Sequence, residues 1–413
     1  MLDVCFYFEV HQPHRIRPYG VFDLGKSHDY FDRAKNREIL RRVAAKCYRP
    51  MNELLLELVR RHDGRFRCAF SLTGTLIEQL AEDAPDVLEL FRELADTGCV
   101  EFLAETCFHS LSAVFDRDEF DRQVAMHRRL VEQQLGQTPR VFRNTELIMN
   151  NDLARHLEAR GFAGAVAEGA DRVLGWRSPN FLYTAAGAPA LPLLLKNYRL
   201  SDDIAFRFGN QQWESWPLDA DKFAGWVDAI HGNGETLNLF MDYETFGEHQ
   251  WEHTGIFEFM RALPGRLLQH PDLRFATPSQ VIERLRPVGE VDMPEFVSWA
   301  DMERDLTAWL GNDMQRAAAE ALHGLLRAAR RQGAADAVRD LERLSTSDHF
   351  YYMCTKWFAD GDVHKYFNPH ESPYEAYIAY MTALNDLAAR LDPAQSDAPA
   401  LRLSEAPHLS AAA

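Results

Sequence analysis

The chain has few basic residues relative to acidic ones. Its 413 residues include 45 Lys and Arg against 62 Asp and Glu, which gives a formal net charge of −17 at pH 7. A nucleic-acid partner requires a basic face that neutralises phosphates, and anionic lipid attracts basic segments in the same way. The charge balance therefore argues against nucleic acid and membrane surfaces as partners. It is compatible with a neutral substrate such as a sugar polymer.

Paired cysteines and long apolar runs are also missing. The six cysteines contain no Cys-x-x-Cys pair and lie mostly within apolar segments, which is typical of reduced, buried thiols. The first residues show no basic leader and no small-residue cleavage site, so no signal peptide is evident. The first apolar run is too short to cross a bilayer. Together these absences predict a cytoplasmic protein.

Short apolar runs alternate with amphipathic helical stretches. Most of the runs are almost continuously hydrophobic, as expected for strands that are covered on both faces. The alternation predicts an α/β fold with a parallel sheet, and the number of units predicts that the sheet closes into a TIM-like barrel. The predicted strands cover residues 2–9, 67–72, 100–104, 141–143, 164–167, 191–196, 237–241 and 274–276.

The character of the sequence changes at about Val288. Residues 306–331 are rich in Ala, Leu and Arg at helical spacing, and residues 374–391 read as another amphipathic helix. We therefore predict a catalytic barrel over residues 1–287 and a helical domain over residues 288–391. Residues 392–413, rich in Pro, Ala, Ser and Asp, are predicted to be a disordered tail.

Polar or ionisable side chains follow nearly every predicted strand. In a parallel barrel, the residues at the carboxyl ends of the strands form the active-site face. A succession of such residues predicts that this face carries chemistry. They are His11, Thr73, Gly74, Glu105 with His109, Glu146, Glu168, Asp202, Asp203 and Asp242.

Glu146 and Asp242 each end an apolar run and are candidates for a catalytic pair. Two carboxyl groups at one barrel mouth can supply the nucleophile and the general acid/base of glycoside hydrolysis. The nucleophile must stay ionised, so donors such as Arg143 and a histidine should surround it. The acid must keep its proton, which requires a dry site or a neighbouring charge, for which Glu244 is a candidate. Alternatively, either acid caps a helix or pairs with an arginine.

The sequence His11-Gln-Pro-His14 follows the first strand, and its proline directs the flanking side chains toward the barrel mouth. His11 could bind sugar hydroxyls or hold a carboxylate in place, and His14 is a second candidate for substrate binding. Alternatively, both are solvent-exposed loop histidines. A metal site is a further alternative, since His11, His14, His109, His249 and Asp242 could converge. No His-Glu-x-x-His sequence supports a metal, and we predict no metal and no cofactor.

Three other residues are candidates for substrate binding. Glu78 could reach the cleft from the helix after the second strand, or could simply be solvated. Trp299 and Trp309 offer flat rings that suit the apolar faces of sugars, and an N–H that can bind a hydroxyl. The alternative for both tryptophans is that they anchor the helical domain to the barrel.

Taken together, these segments resemble glycoside hydrolase family 57. The resemblance is carried by the His11-Gln-Pro block, residues 74–80, residues 101–110 with His109, Arg143-Asn-Thr-Glu146 and Asp242-Tyr-Glu-Thr-Phe-Gly247, the last being the most specific. It extends to about Leu391, and residues 298–312 and 350–380 resemble the helical region of α-amylase-type members.

The resemblance implies an incomplete (β/α)7 barrel with a following helical domain, and a retaining mechanism on α-glucans. It implies that Glu146 is the nucleophile and Asp242 the acid/base, while His11, His109 and Trp299 lie in the substrate cleft. Arg143 and Glu244, which flank the two acids, are further candidates for substrate binding. Because the family barrel has seven strands, one of the eight predicted strands should be accessory, and residues 164–167 give the weakest signal.

The resulting prediction is an α-amylase-like hydrolase of α-1,4-glucans such as maltodextrin. A 4-α-glucanotransferase would use the same two acids with a sugar hydroxyl in place of water. A catalytically silent glucan-binding protein and a metal-dependent deacetylase are alternatives from other classes. The sequence does not indicate the oligomeric state.

Overall fold

The computed structural model describes residues 1–356 and 367–392. Within these residues the strands form two sheets with mostly parallel pairing. The strands are β1 (Leu2–Val10), β2 (Cys68–Leu72), β3 (Val100–Phe102), β4 (Val141–Arg143), β5 (Gly164–Glu168), β6 (Tyr183–Ala185), β7 (Ala188–Lys196), β8 (Thr236–Asp242), β9 (Leu273–Phe275) and β10 (Glu290–Val291).

The first sheet has the order β3-β2-β1-β8, with β9 beside the start of β1, and the second has the order β10-β6-β7-β5-β4. The β6–β7 pair is antiparallel, and the other pairs are parallel. Parallel strands need a crossover, and helices supply it here. This explains why the apolar runs of the sequence alternate with helical patterns.

Two seams join the sheets into one barrel. On one side, Ala104 bridges to Phe142, and the Ala104 N–H donates to Val141 O over 2.9 Å. On the other side, the Asn197 N–H donates to Asn238 O over 2.9 Å, and Asn238 Nδ2 donates to Leu195 O over 2.9 Å. The ring of parallel strands is therefore β1, β2, β3, β4, β5, β7 and β8. The predicted incomplete (β/α)7 barrel is confirmed.

The identity of the accessory strand differs from the prediction. Residues 164–167 belong to β5, which pairs with β4 on one side and β7 on the other. The neighbours of β5 approach closely, so this strand needs small residues such as Gly164. Small residues give only a weak apolar signal in the sequence. A Cβ at Gly164 would lie 2.8 Å from Pro192 O and would collide with Ile282. The accessory strand is β9, which pairs only with Leu2, Asp3 and Val4 of β1 among the described residues.

The strands β6 and β10 were not predicted from the sequence. They span three and two residues, too short for a periodic pattern to show. Helices surround the barrel and form the C-terminal part. They are α1 (Arg33–Val43), α2 (Arg49–Arg61), α3 (Gly74–Asp83), α4 (Pro85–Asp96), α5 (Ser112–Phe115), α6 (Arg117–Leu135), α7 (Asn151–Ala159), α8 (Asp171–Leu174), α9 (Tyr198–Asp202), α10 (Ala220–Asp228), α11 (Ile256–Leu267), α12 (Pro278–Arg284), α13 (Thr307–Leu310), α14 (Asp313–Gln332), α15 (Ala335–Leu344), α16 (Ser347–Tyr351) and α17 (Pro373–Leu391).

The C-terminal helices have an apolar core of their own. Trp309, Leu322, Leu341 and Tyr380 pack in one cluster that also includes Tyr30 from the loop after β1. The helical segment is therefore packed against a barrel loop. The domain boundary at residue 288 stays a prediction, and of the predicted tail over residues 392–413, everything beyond residue 392 lies outside the described residues. No helix in the described part of the chain combines the length and apolarity needed to cross a membrane.

Candidate active site

Alternation along the strands places a layer of charged side chains inside the barrel. Cys5 and Tyr7 of β1 lie in the interior cluster, whereas Phe6 and Phe8 face the helices. Because successive side chains point to opposite faces, Glu9 continues the interior row. The same alternation holds on the other barrel strands, and each row ends on a polar residue at the carboxyl end. These residues are Glu9, Ser71, Glu105, Arg143, Glu168, Lys196 and Asp242.

A cavity of about 550 Å³ lies above this charged layer. The predicted site residues that line it are His11, His109, Glu146, Asp242, Glu244, Trp299 and Trp309. Both predicted catalytic carboxyl groups therefore face the same space. Three predicted residues are not among those that line the cavity, namely His14, Glu78 and Arg143.

Glu146 lies in a tight turn that directly follows β4. Its backbone φ of +58° lies in the left-handed region, which non-glycine residues rarely adopt and which often occurs at functional sites. The turn presents both carboxylate oxygens to donors. Oε1 accepts from His109 Nε2 at 3.2 Å and from Ser347 Oγ at 3.0 Å, while Oε2 accepts from Trp299 Nε1 at 2.7 Å.

These contacts keep Glu146 ionised. Burial raises the pKa of a carboxyl group, but the hydrogen bond and the charge of His109, together with Arg143 and Trp299, lower the pKa of Glu146 below its ordinary value. The expectation that basic and hydrogen-bonding groups surround this residue agrees with the geometry. The donor from Trp299 was not foreseen, because the sequence suggested a sugar platform.

His109 carries a positive charge into the site. Its Nδ1 lies 3.2 Å from Glu105 Oε2, and its ring stacks on His11 with centroids 4.2 Å apart. Burial lowers the pKa of a histidine, but the hydrogen bonds to Glu105 and Glu146 and the charge of Glu9 raise the pKa of His109 to about 10. The imidazolium therefore donates to both Glu105 and Glu146 at neutral pH.

Arg143 lies beneath the cavity, where it is fully buried. One of its terminal nitrogens is 3.1 Å from Glu9 Oε2 and 3.7 Å from Glu105 Oε2. Burial is the main reason that the pKa of Glu9 is raised to about 8, and Arg143 opposes this rise. Arg143 pairs with the carboxyl groups of Glu9 and Glu105 and does not line the cavity. Its contact with substrate therefore stays a prediction.

Asp242 has the opposite protonation preference to Glu146. Burial and then the negative charge of Glu146 raise the pKa of Asp242 to about 6, while Arg143 and Lys196 oppose the rise. The two carboxyl groups thus have pKa values shifted apart, which is the pattern expected for a nucleophile and a general acid.

Glu244 is not the neighbouring charge that the sequence suggested for Asp242. Its carboxyl group accepts a short hydrogen bond from the Tyr48 hydroxyl. Burial raises the pKa of Glu244 to about 8, so that it is mostly protonated and uncharged at neutral pH. The carboxylate that raises the pKa of Asp242 is Glu146 instead.

His11 links the barrel to the C-terminal part of the chain. Its Nδ1 lies 2.9 Å from Thr73 Oγ1, and its Nε2 lies 3.0 Å from Asp348 Oδ2. Burial raises the pKa of Asp348, but the neighbouring His11 lowers it well below its ordinary range. Asp348, Ser347 and Lys196 were missed by the sequence analysis. Of these, only Lys196 had a signal, since it ends the interior row of β7.

Two other predicted residues lie outside the cavity. His14 Nε2 is 3.5 Å from Glu78 Oε2, which in turn accepts from Arg343 at 3.2 Å. This group connects α3 to α15 and is consistent with the structural alternative, although substrate binding by these residues stays a prediction. Trp309 is 1% exposed and packs near Tyr351, so it contributes both to the cavity wall and to the helical core.

A metal site is not favoured by the residues around the cavity. Glu9, Glu105 and His109 could in principle hold an ion, since their ligand atoms lie within 4.8 Å of one another. Arg143 and the His109 imidazolium already form ion pairs with these two acids. A cation there would meet two positive groups, so the donor set does not fit a metal in this protonation state.

Two carboxyl groups with pKa values shifted in opposite directions, facing one cavity at the carboxyl end of a barrel, are the arrangement of a two-carboxylate glycosidase. The sequence profile of glycosyl hydrolase family 57 matches residues 5–294, and the chain belongs to this family.

The relatives agree with this assignment. A Methanocaldococcus jannaschii protein that carries a provisional alpha-amylase name is 43% identical over 398 residues, covering 93% of this chain and 83% of that protein. An alpha-amylase of Pyrococcus horikoshii is 22% identical over 262 residues, covering 62% of this chain and 39% of that protein.

Solved structures share the fold. The GH57-type branching enzyme of Pyrococcus horikoshii superposes with a TM-score of 0.70 at 17% identity, covering 94% of this chain and 90% of that one. The alpha-amylase AmyC of Thermotoga maritima superposes with a TM-score of 0.60 at 13% identity, covering 95% of this chain and 94% of that one. At these identities the likeness concerns the fold alone.

Proposed function

We propose that this protein is a retaining hydrolase of α-1,4-glucans that acts on maltodextrin or glycogen-like chains. The observation that carries the proposal is that Glu146 and Asp242 line one cavity with pKa values shifted in opposite directions. The 43% identity to a relative with an alpha-amylase name supports the substrate class.

In the first step, a Glu146 carboxylate oxygen attacks the anomeric carbon and the glycosidic C–O bond breaks. Asp242 gives its proton to the leaving oxygen, so that the shortened chain departs as an alcohol. Glu146 is then bound covalently to the sugar. A retaining enzyme of this kind holds its two carboxyl groups about 5–5.5 Å apart.

In the second step, Asp242 acts as a base. It takes a proton from water, whose oxygen attacks the anomeric carbon and releases Glu146. Two inversions give net retention of the anomeric configuration. His109, Ser347 and Trp299 hold the nucleophile through both steps, because all three donate hydrogen bonds to its carboxylate.

The C-terminal segment supports substrate binding in this proposal. Trp299, Trp309 and Asp348 line the cavity although they lie far along the chain from the barrel strands. We therefore propose that residues 288–391 form a helical domain that completes the glucan cleft. A neutral glucan is compatible with the net charge of −17 on the protein. We also propose that the protein is located in the cytoplasm.

Incubation with maltoheptaose tests the proposal, with products followed by chromatography. Glu146→Gln and Asp242→Asn are expected to lose turnover by at least about a thousandfold, since each removes a group needed for bond cleavage. Glu320→Gln, which changes an exposed carboxylate on α14, is the matched control and keeps wild-type activity.

The products distinguish the remaining functions. Shorter chains alone indicate a hydrolase, whereas additional longer chains indicate a 4-α-glucanotransferase on the same site. Binding of maltoheptaose without turnover, unchanged by Glu146→Gln, would indicate a glucan-binding protein and contradict the proposal. Activity lost on exhaustive chelation would indicate a metal-dependent enzyme.

A further inference from the structure

We propose that Phe206 is a sugar-binding platform on the leaving-group side of the cavity and favours a sugar acceptor over water. This inference rests on the proposed glucan activity and adds a specific subsite to it. Three observations carry it: the exposure of the ring, the contacts that hold its backbone, and the packing of its turn against the residues that follow Asp242.

Phe206 is exposed although it lines the cavity. It belongs to a π-helical turn, Asp203–Arg207, in which Ile204 and Ala205 are buried. Phe206 itself is 59% exposed, and it is among the residues that line the cavity with Asp242. An aromatic ring at the rim of a cavity offers an apolar face to a ligand. Stacking a sugar on this face does not require the protein to remove water from its own polar groups.

The backbone that carries this ring is held from several sides. Gln250 Nε2 donates to Ala205 O over 2.9 Å, and Arg207 pairs with Asp203 across the turn. Phe208, just after the turn, is 4% exposed and packs against Phe259 with centroids 5.1 Å apart. A ring on a fixed turn loses little conformational freedom when it binds a ligand, so more of the contact energy contributes to affinity.

The position of the turn selects the side of the scissile bond. The Asp203–Arg207 turn packs against the Tyr243–Thr245 turn, which directly follows Asp242. The preceding helix is fixed to the same strand, since the Phe240 N–H donates to Ser201 Oγ over 3.2 Å. Asp242 protonates the leaving oxygen, so the departing sugar lies on the side of Asp242 and therefore near Phe206.

The same subsite would hold an acceptor in the second step. After the shortened chain departs, either water or a sugar hydroxyl gives its proton to Asp242 and attacks the anomeric carbon. A sugar that stacks its C–H face on Phe206 places a hydroxyl near Asp242 and displaces water. Phe206 therefore increases the share of transfer relative to hydrolysis.

The test compares substrates that do and do not fill this subsite. Maltoheptaose places a sugar there, whereas α-maltotriosyl fluoride has a fluoride ion as its leaving group. For Phe206→Ala, the ratio of kcat/KM for maltoheptaose to that for α-maltotriosyl fluoride is expected to fall roughly tenfold, the size of one lost aromatic contact. Phe206→Tyr keeps the ring and should restore the ratio.

Phe22→Ala serves as the control, because this phenylalanine is 84% exposed and does not line the cavity. With α-maltotriosyl fluoride as donor and maltose as acceptor, Phe206→Ala should also give fewer transfer products per hydrolysis event. A ratio unchanged in Phe206→Ala, or reduced equally in Phe22→Ala, would overturn the inference while the proposed function stands. If the wild type turned over neither substrate, the proposed function itself would fall.

Discussion

The indole of Trp299 donates its N–H to Glu146 Oε2 at 2.7 Å, and its ring lies 5.2 Å from both Arg143 and Lys196. The backbone adds a second link, since the Trp299 N–H donates to Glu146 O over 3.1 Å. These contacts fix the orientation of the Glu146 carboxylate, the proposed nucleophile. Trp299 is therefore expected to act by positioning Glu146, in addition to any stacking on sugar.

Trp299→Phe separates these two roles, because it keeps an aromatic ring and removes the donor. A hydrogen bond to a charged group contributes about 1.5–3 kcal/mol, so kcat is expected to fall roughly tenfold to a hundredfold with little change in KM. Trp176→Phe is the control, since this tryptophan is 90% exposed and does not line the cavity. A rise in KM at unchanged kcat would show that Trp299 mainly binds sugar.

The oppositely shifted pKa values of the two acids predict a bell-shaped pH profile. Asp242 must hold its proton to act as the acid, so kcat/KM should fall as the pH rises through about 6, its raised pKa. Glu146 must be ionised, and its lowered pKa places the acid limb below the ordinary carboxyl range. The pH dependence of kcat/KM on maltoheptaose measures both limbs.

Lys196→Gln tests the cause of the basic limb. Lys196 lowers the pKa of Asp242, so its removal should raise that pKa and shift the basic limb to higher pH. Arg199→Gln removes a nearby exposed charge that does not line the cavity and should leave the limb in place. A basic limb that does not move in Lys196→Gln would show that another group controls it.

At the scale of elements, the sequence predicted the barrel strands and most of the residues at their carboxyl ends. Apolar runs that bury both faces are readable, and so is the polar residue that ends each run. The turn at Glu146 was not readable, because a left-handed backbone is rare for glutamate and leaves no sequence pattern. The contribution of Ser347 and Asp348 was also hidden, because helical packing brings them to partners that are distant in sequence. Ser347 lies 201 residues from Glu146, and Asp348 lies 337 residues from His11.

Asp386 of helix Pro373–Leu391 accepts several hydrogen bonds from the loop that follows β1. The buried carboxylate of Asp386 accepts from Tyr30 Oη at 2.6 Å, from the Gly25 N–H at 2.7 Å and from His28 Nδ1 at 2.6 Å. Removing a charged acceptor with several donors leaves buried groups unpaired. This contact therefore connects the helical segment to the loop that also carries His11.

Asp386→Asn is expected to lower the free energy of unfolding by about 1–3 kcal/mol, because an amide cannot accept all of these hydrogen bonds. Denaturation in urea measures the change. Asp336→Asn, on the exposed face of α15, is the control and should unfold at the wild-type midpoint. Equal midpoints for both variants would mean that Asp386 contributes little to the packing of this helix.

At the scale of the whole molecule, one cavity combines the barrel with the C-terminal segment. The barrel supplies Glu146 and Asp242 from the ends of two strands, while residues far along the chain supply Trp299, Trp309 and Asp348. Membership in the family follows from the match over residues 5–294, which includes most of β1 and the other six strands of the barrel ring. We therefore expect the covalent chemistry to occur on the barrel, while the C-terminal segment positions the proposed nucleophile and the glucan.

Trapping the covalent intermediate is the sharpest test of the roles proposed for Glu146 and Asp242. Asp242→Asn treated with α-maltotriosyl fluoride should form a glycosyl-enzyme that breaks down slowly, since the fluoride needs little acid assistance and the base is missing. Mass spectrometry of the digested protein is expected to find the added sugar on the peptide that contains Glu146, and none in Asp242→Asn combined with Glu146→Gln. An adduct on another residue would contradict the assignment of Glu146. Product of inverted configuration without any adduct would contradict the retaining mechanism.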